Sequence, residues 1–216
     1  MSGRLIDISQ TLRPALPVWP GDTPFDVTRT WALEPGCPVN VSRLTMSTHT
    51  GAHADAPLHY AADGADMAGV SLAPYLGLAQ VIDVTACGVR RITVDDVGAR
   101  LVDGVQRVIL KTFPTFPHEV WVETFATPDP SLIHYLAEAG VVLIGIDAPS
   151  LDPQDSKDIP SHQAVHRAGM AILEGLVLDE VREGLYELIA LPLKIAGADA
   201  SPVRAVLRVL EEEVAP

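Results

Sequence analysis

Residues 49–60 read HTGAHADAPLHY, a stretch dense in side chains that can bind a metal or move a proton. These side chains are His49, His53, Asp55 and His59. Gly51 and Pro57 disfavour a helix, and the alternating pattern of residues 41–48 predicts a strand leading into the stretch. A straight strand would hold side chains four residues apart at about 13 Å, too far to share one ion. The stretch therefore predicts a strand, a turn at Gly51 and a loop on which the polar side chains converge.

The chemistry of this stretch favours a metal site over a polar turn with incidental hydrogen bonds. Two imidazoles and a carboxylate suit Zn²⁺, and also Mn²⁺, Fe²⁺ or Co²⁺. Three or four protein ligands leave a position open for water, as a catalytic metal requires. A single histidine would favour the polar turn, whereas three histidines and an aspartate at this density favour the metal. The spacing alone matches neither a zinc finger nor an HExxH helix.

Residues far along the chain could complete or line such a site. Glu174 lies inside the apolar run 170–178, where a carboxylate is costly to bury unless it is paired or bound to metal. The alternative is a strand residue that faces water. His162 and His166 lie four residues apart, and His166 is expected on an exposed helix face. Trp19, between two prolines, is either a core residue, which the sequence alone favours, or a stacking surface for a flat ligand.

Composition excludes several classes of protein. The net charge of the 216 residues is −13, and the aromatic residues are not interleaved with Lys or Arg, so no nucleic-acid surface is expected. No run approaches the ~18 apolar residues of a membrane span, and residues 1–10 lack a signal-peptide core. We expect Cys37 and Cys87 to be small buried thiols in a reducing cytosol, with a disulfide as the alternative. These features predict a cytoplasmic protein that binds neither nucleic acid nor membrane.

Short apolar and alternating runs predict a strand-rich domain with a few helices. The expected strands cover residues 4–9, 41–48, 80–84, 107–112, 141–147, 188–193 and 203–210. The last of these could be an edge strand. Helices are expected after caps at Thr93, Ser131 and Ser161. Nothing marks a linker, so residues 1–216 are predicted to form one α/β or α+β domain.

The segment from Ser47 to His59 resembles the HxGTHxDxPxH signature of the cyclase-like metal-dependent hydrolases. This sequence has Ala52 where the signature has Thr, at a position that is not expected to bind metal. Further similar segments are PVWPGD (17–22), GIDAPS (145–150), DSK (155–157) with His162, and ILEG (172–175). The resemblance thus extends over essentially the whole chain, and within the family it is strongest to the bacterial kynurenine formamidases. It implies a swivelling β/β/α domain, an α/β fold with a mixed sheet and a few packed helices.

The resemblance implies a role for most of the candidate residues. The residues that match metal ligands are His49, His53, Asp55, His162 and Glu174. Together they would hold two divalent ions per subunit, with Asp55 and Glu174 contacting both. Zn²⁺ is the usual metal of the subgroup, and Mn²⁺ is the alternative. His59 matches the catalytic acid/base and Trp19 a substrate-contacting aromatic residue, whereas His166 has no counterpart role.

The implied reaction is hydrolysis of N-formyl-L-kynurenine to L-kynurenine and formate in tryptophan degradation, by a homodimer. A second hypothesis is another hydrolase of the family, acting on an isatin-type lactam or a cyclic imide. A third is a non-catalytic metal- or ligand-binding protein on the same fold. His59 argues against the third, because metal storage needs no acid/base beside the ligands.

Overall fold

The computed structural model describes residues 3–210 and contains a nine-stranded sheet, a separate hairpin and three helices. The strands are β1 (Leu5–Asp7), β2 (Asp26–Trp31), β3 (Val41–Thr45), β4 (His53–Asp55), β5 (Leu76–Asp83), β6 (Arg107–Lys111), β7 (Leu143–Ile146), β8 (Ala171–Glu174), β9 (Gly184–Ile189), β10 (Ala200–Pro202) and β11 (Val206–Val209). The helices are α1 (Val94–Val97), α2 (Pro130–Glu138) and α3 (Pro160–Ala168). This arrangement confirms the mixed α/β fold with a large sheet and few helices. Within residues 3–210, none of the helices has the length and apolar character needed to cross a membrane.

The sheet is parallel in its centre and antiparallel towards both edges. Its strand order is β1-β11-β9-β5-β6-β7-β8-β4-β10, and the four central strands β5 to β8 pair in parallel. Each parallel connection crosses over through a helix: α1 between β5 and β6, α2 between β6 and β7, and α3 between β7 and β8. The apolar residues 108–110 of β6 and 143–146 of β7 are typical of strands that are buried on both faces.

Two apolar cores lie on opposite faces of the sheet. Val108 and Leu110 of β6 pack into the core that contains the buried faces of α2 and α3. Ile109, between them, points to the other core, which includes Tyr75 and Leu188. The alternation of side chains along one strand thus supplies both cores.

Several predicted element boundaries are wrong. Residues 203–210 do not form an edge strand. They include β11, whose outer side pairs with β1, and β1 is the edge strand. Helix α2 is capped by Asp129, which accepts a hydrogen bond from the Ser131 N–H, so Ser131 lies inside the helix. Ser161 lies inside α3 as well, buried, with its hydroxyl donating to the Pro128 carbonyl.

Strands β2 and β3 form a two-stranded hairpin in which every strand residue is exposed. Its connecting segment carries Cys37, a free thiol that is only half-buried. Cys87 is also free, and it is buried. The expectation of two buried thiols is therefore correct for Cys87 and wrong for Cys37.

Candidate metal centre

The central feature of the site is the antiparallel pairing of β4 with β8. His53 lies directly opposite Glu174 in the register, and Asp55 follows two residues later on the same face of β4. The chain enters β4 through Gly51, whose φ of +68° produces the turn that the sequence predicts. Gly175 leaves β8 with a φ of +64°, and a Cβ there would lie 2.6 Å from the Gly51 carbonyl oxygen. Two glycines therefore allow the strand ends that carry His53 and Glu174 to approach closely.

Helix α3 brings His162 to the same place. The Asp152 carboxylate accepts hydrogen bonds from the Ser161 and His162 N–H groups at the first turn of the helix. It also lies 2.7 Å from His162 Nδ1. This contact leaves His162 Nε2 directed at Asp55 and Glu174, an arrangement that orients many metal-binding histidines. His53 is fixed in a comparable way, with Nδ1 2.9 Å from the Gly51 carbonyl oxygen.

The five side chains that match metal ligands converge with the spacing that metal ligands have. On one side, Asp55 Oδ1 lies 3.2 Å from His49 Nδ1 and 3.5 Å from His53 Nε2. On the other, Asp55 Oδ2 lies 3.5 Å from His162 Nε2. Glu174 spans both sides, with Oε2 3.3 Å from His53 Nε2 and Oε1 3.4 Å from His162 Nε2. Two ligands at 2.0–2.2 Å from a tetrahedral ion lie about 3.3–3.6 Å apart, so these separations suit a shared ion.

Unpaired buried atoms support the fit of a metal to this cluster. Within residues 3–210, His53 Nε2 and both carboxylate oxygens of Asp55 are buried without a hydrogen-bond partner. Such atoms are rare in folded proteins because each one costs free energy. Imidazole nitrogen and carboxylate oxygen are a donor set that Zn²⁺ and similar divalent ions accept. The residues present therefore fit a divalent metal.

The cluster stabilises positive charge among buried carboxylates. Burial would raise the pKa of Asp55, but the nearby His162 and His49 imidazoles, which favour its charged form, outweigh it and hold that pKa well below its usual range. Burial would lower the pKa of His49, but the Asp55 and Asp199 carboxylates outweigh it and raise that pKa to about 9. Protons on the histidines thus compensate the carboxylates, and a divalent cation would displace those protons on binding.

His59 lies beside the cluster and is more open to solvent. Its ring centroid is 4.3 Å from that of His49, and its side chain is 35% exposed. Asp199 Oδ2 links the two histidines, at 3.1 Å from His49 Nε2 and 3.4 Å from His59 Nδ1. His59 also has a ring nitrogen within ligand range of His49 and Asp55. It can therefore serve either as an acid/base or as a ligand, and measurement of metal content distinguishes the two.

Four residues of the cluster, His49, His53, His162 and Glu174, line one cavity of about 530 Å³, whereas Asp55 is buried and does not line it. Trp19 lines this cavity and is half-buried, so it has the placement of a stacking surface rather than of a core residue. Other apolar residues that line the cavity are Val18, Phe113, Phe116, Val120 and Trp121. His166 lies outside this cavity, against the Tyr60 ring. One cavity thus combines an aromatic end with a metal-binding end.

Sequence reasoning missed three residues of the site. Asp152 and Asp199 orient histidines through contacts that join distant segments, and no local spacing signals them. Trp121 lies in an irregular segment between β6 and α2, where the sequence offers no periodicity. Asp152 accepts from the first turn of α3, but it lies nine residues before Ser161, too far along the chain for a capping pattern to identify it.

Comparison with known proteins gives consistent matches over the chain. The Cyclase family model matches residues 6–153. A structure described as a potential metal-dependent hydrolase with cyclase activity is 32% identical, with a TM-score of 0.81 over 97% of this chain and 99% of the other. A predicted metal-dependent hydrolase from Bacillus stearothermophilus is 30% identical, with a TM-score of 0.81 over 96% and 98%. Isatin hydrolase A from Labrenzia aggregata is 25% identical, with a TM-score of 0.80 over 96% and 94%.

Proposed function

Because the chain belongs to the cyclase family and has the fold of its metal-dependent hydrolases, we propose that it hydrolyses the amide bond of an aryl amide. The favoured substrate is N-formyl-L-kynurenine, with L-kynurenine and formate as products. The observation that carries the proposal is the position of the five-residue cluster at an aromatic-lined cavity, with His59 beside it. The substrate's aryl ring suits the aromatic end, and its formyl group suits the metal-binding end.

The cluster would hold two divalent ions, Zn²⁺ or alternatively Mn²⁺. His49 and His53 face Asp55 Oδ1, while His162 faces Asp55 Oδ2, so the two oxygens of one carboxylate serve separate groups of histidines. Glu174 divides its oxygens in the same way. Divalent metal at such a site lowers the pKa of water towards neutrality and polarises a carbonyl oxygen.

His59 would move the proton. It is the most exposed histidine of the group at the cavity and lies next to His49, so it can reach both an attacking water and a leaving nitrogen. The Asp199 carboxylate accepts a hydrogen bond from Nδ1 in the matching tautomer, which leaves Nε2 free to exchange a proton. Trp19 would contact the aromatic ring and hold the amide in place.

Hydrolysis of an isatin-type lactam is the second candidate. The observation that favours it is the similarity to isatin hydrolase A along 96% of this chain, at 25% identity. Isatin also has a flat aromatic ring fused to the amide that is cleaved, so the same cavity chemistry applies. A substrate panel of N-formylkynurenine, N-formylanthranilate and isatin separates the two candidates by their kcat/KM values.

The test of the proposal is removal and return of metal. Protein stripped with a chelator should lose turnover of N-formylkynurenine and regain it with Zn²⁺ or Mn²⁺. His59→Ala should keep the metal content of the unmodified protein and lose about 10²–10⁴-fold in kcat, whereas His53→Ala should lose metal. Loss of metal from His59→Ala would show that His59 is a metal ligand and not the acid/base. No hydrolysis of any of the three substrates by metal-restored protein would reject the proposal.

A further inference from the structure

The cavity contains a second tryptophan, Trp121, to which the proposed function assigns no role. Its ring meets that of Trp19 at an interplanar angle of 70°, with the ring centroids 5.5 Å apart. Both rings are half-buried and both line the cavity. We propose that Trp19 and Trp121 form an aromatic slot that binds the flat ring of the substrate, and that Trp121 is a specificity-determining residue. This inference rests on the proposed function and specifies what the cavity selects.

The Trp121 ring is fixed rather than loosely packed. Its indole N–H donates to Gln154 Oε1 at 2.7 Å, so the polar atom of the ring is already satisfied within the protein. What Trp121 offers to a ligand is therefore apolar ring surface. Holding the ring in one orientation before binding lowers the entropy cost of forming a ring–ring contact.

Gln154 also links the aromatic slot to the metal-binding end. It lies two residues after Asp152, the carboxylate that orients His162. One segment between β7 and α3 thus positions a metal-facing histidine through Asp152 and an aromatic ring through Gln154. A single short piece of chain therefore contacts both the ring-binding and the amide-cleaving ends.

The rest of the lining agrees with a ligand that has two chemically different ends. Besides the two tryptophans, the lining contains the apolar residues Phe113, Phe116 and Val120, and it also contains the polar residues His53, His59 and Glu174 of the metal-binding end. Aromatic pairs contribute about 0.5–1.5 kcal/mol beyond the apolar area they bury. That corresponds to about a twofold to twelvefold preference for a flat aromatic ring over a saturated ring of the same size.

The experiment compares two ketones that cannot be hydrolysed, acetophenone and cyclohexyl methyl ketone, on the full-length metal-loaded protein. Dissociation constants are measured by ligand-observed NMR titration. We expect acetophenone to bind about twofold to twelvefold more tightly. Trp121→Leu should bring the ratio close to one, and Trp121→Phe should give an intermediate ratio if the leucine variant does not fold. Trp31→Leu, which changes the tryptophan on the β2–β3 hairpin, is the matched control and should keep the original ratio.

Gln154 provides a test of positioning. Gln154→Glu keeps an acceptor oxygen for the indole N–H and should keep the ratio, whereas Gln154→Leu should lower it without changing metal content. Equal affinity for the two ketones in the unmodified protein, or an unchanged ratio in Trp121→Leu, would overturn the aromatic slot. Absence of amide hydrolysis with the ratio intact would instead reject only the proposed function.

Discussion

At the scale of single residues, Asp199 connects His49, a proposed metal ligand, to His59, the proposed proton-transfer residue. Its Oδ1 accepts a hydrogen bond from the Thr48 hydroxyl, and its Oδ2 lies within 3.4 Å of both histidines. The backbone carbonyl of Asp199 also accepts the Ala56 N–H, so the residue is anchored to the chain just after β4. Burial would raise the pKa of Asp199, but the hydrogen bonds from His49 and Thr48 outweigh it and lower that pKa to about 2. Asp199 therefore acts as an ionised positioning residue.

We predict that Asp199→Asn lowers kcat by about 10–100-fold, because an amide cannot accept hydrogen bonds from both histidines with the same charge. KM should change little, since Asp199 is not among the residues that line the cavity. Steady-state kinetics with metal analysis measures both quantities. Asp66→Asn is the control, because Asp66 holds the same segment through the Gly197 N–H but does not contact the histidines. Equal losses in the two variants would reduce Asp199 to a structural role.

The amino-acid sequence predicts the candidate metal ligands, whose residue types and spacing are unusual. It does not predict the carboxylates that orient those ligands. The density of residues 49–60 singles out four polar side chains, and the buried carboxylate of Glu174 is anomalous within its apolar run. Asp152 and Asp199 look like ordinary surface acids in the sequence, because their partners lie 10 and 150 residues away. Supporting contacts depend on the three-dimensional path of the chain, which local spacing does not encode.

At the scale of elements, the site depends on the close approach of the turns at Gly51 and Gly175. The Gly175 N–H donates to the Ala148 carbonyl, which ties the end of β8 to the segment after β7. A side chain at residue 175 would meet both an unfavourable φ and the Gly51 carbonyl. These two costs can be separated, because Gly169 has a similar φ of +63° and nothing lies within 4 Å of the place that a Cβ would take there.

We predict that Gly169→Ala costs about 1–2 kcal/mol of unfolding free energy, the strain of the left-handed backbone alone. Gly175→Ala should cost more, because the ends of β4 and β8 must also separate, and it should weaken metal binding by moving His53 from Glu174. Urea denaturation of chelator-treated protein gives the stability, and metal titration gives the affinity. Equal costs in both variants, with unchanged metal affinity, would contradict this account.

The parallel centre of the sheet can be predicted from the sequence better than its edges. The run 107–112 matches β6 almost unchanged, because a strand buried on both faces needs continuous apolar residues. The run 188–193 is shifted relative to β9, since Leu191 and Leu193 are exposed and lie beyond the paired strand. β10 has only three residues, and its pairing with β4 depends on tertiary contacts that its sequence does not predict. The candidate site lies next to this least predictable edge.

At the scale of the whole molecule, the stability of the β2–β3 hairpin is not explained by contacts within one chain, because all of its strand residues are exposed. An isolated two-stranded hairpin is marginally stable in water, yet this one exposes Val27, Trp31 and Leu44. Its strands carry Arg29 and Arg43 against a single acidic residue, Asp26, on a chain whose net charge is −13, so the charge repulsion between two copies is weakest at the hairpin. We therefore predict that the hairpin packs against a second copy of the chain in a homodimer.

Light scattering during size-exclusion chromatography should give twice the 23.0 kDa mass of the chain. Leu44→Asp should shift the protein towards the monomer, because a charge would be buried without a partner in the apolar contact. Val89→Asp is the control, since Val89 is equally exposed but lies outside the hairpin. Circular dichroism on both variants excludes unfolding as the cause of a changed mass. A monomeric unmodified protein, or a Leu44→Asp dimer as stable as the Val89→Asp dimer, would contradict the prediction, and the hairpin would then have to be stabilised within its own chain.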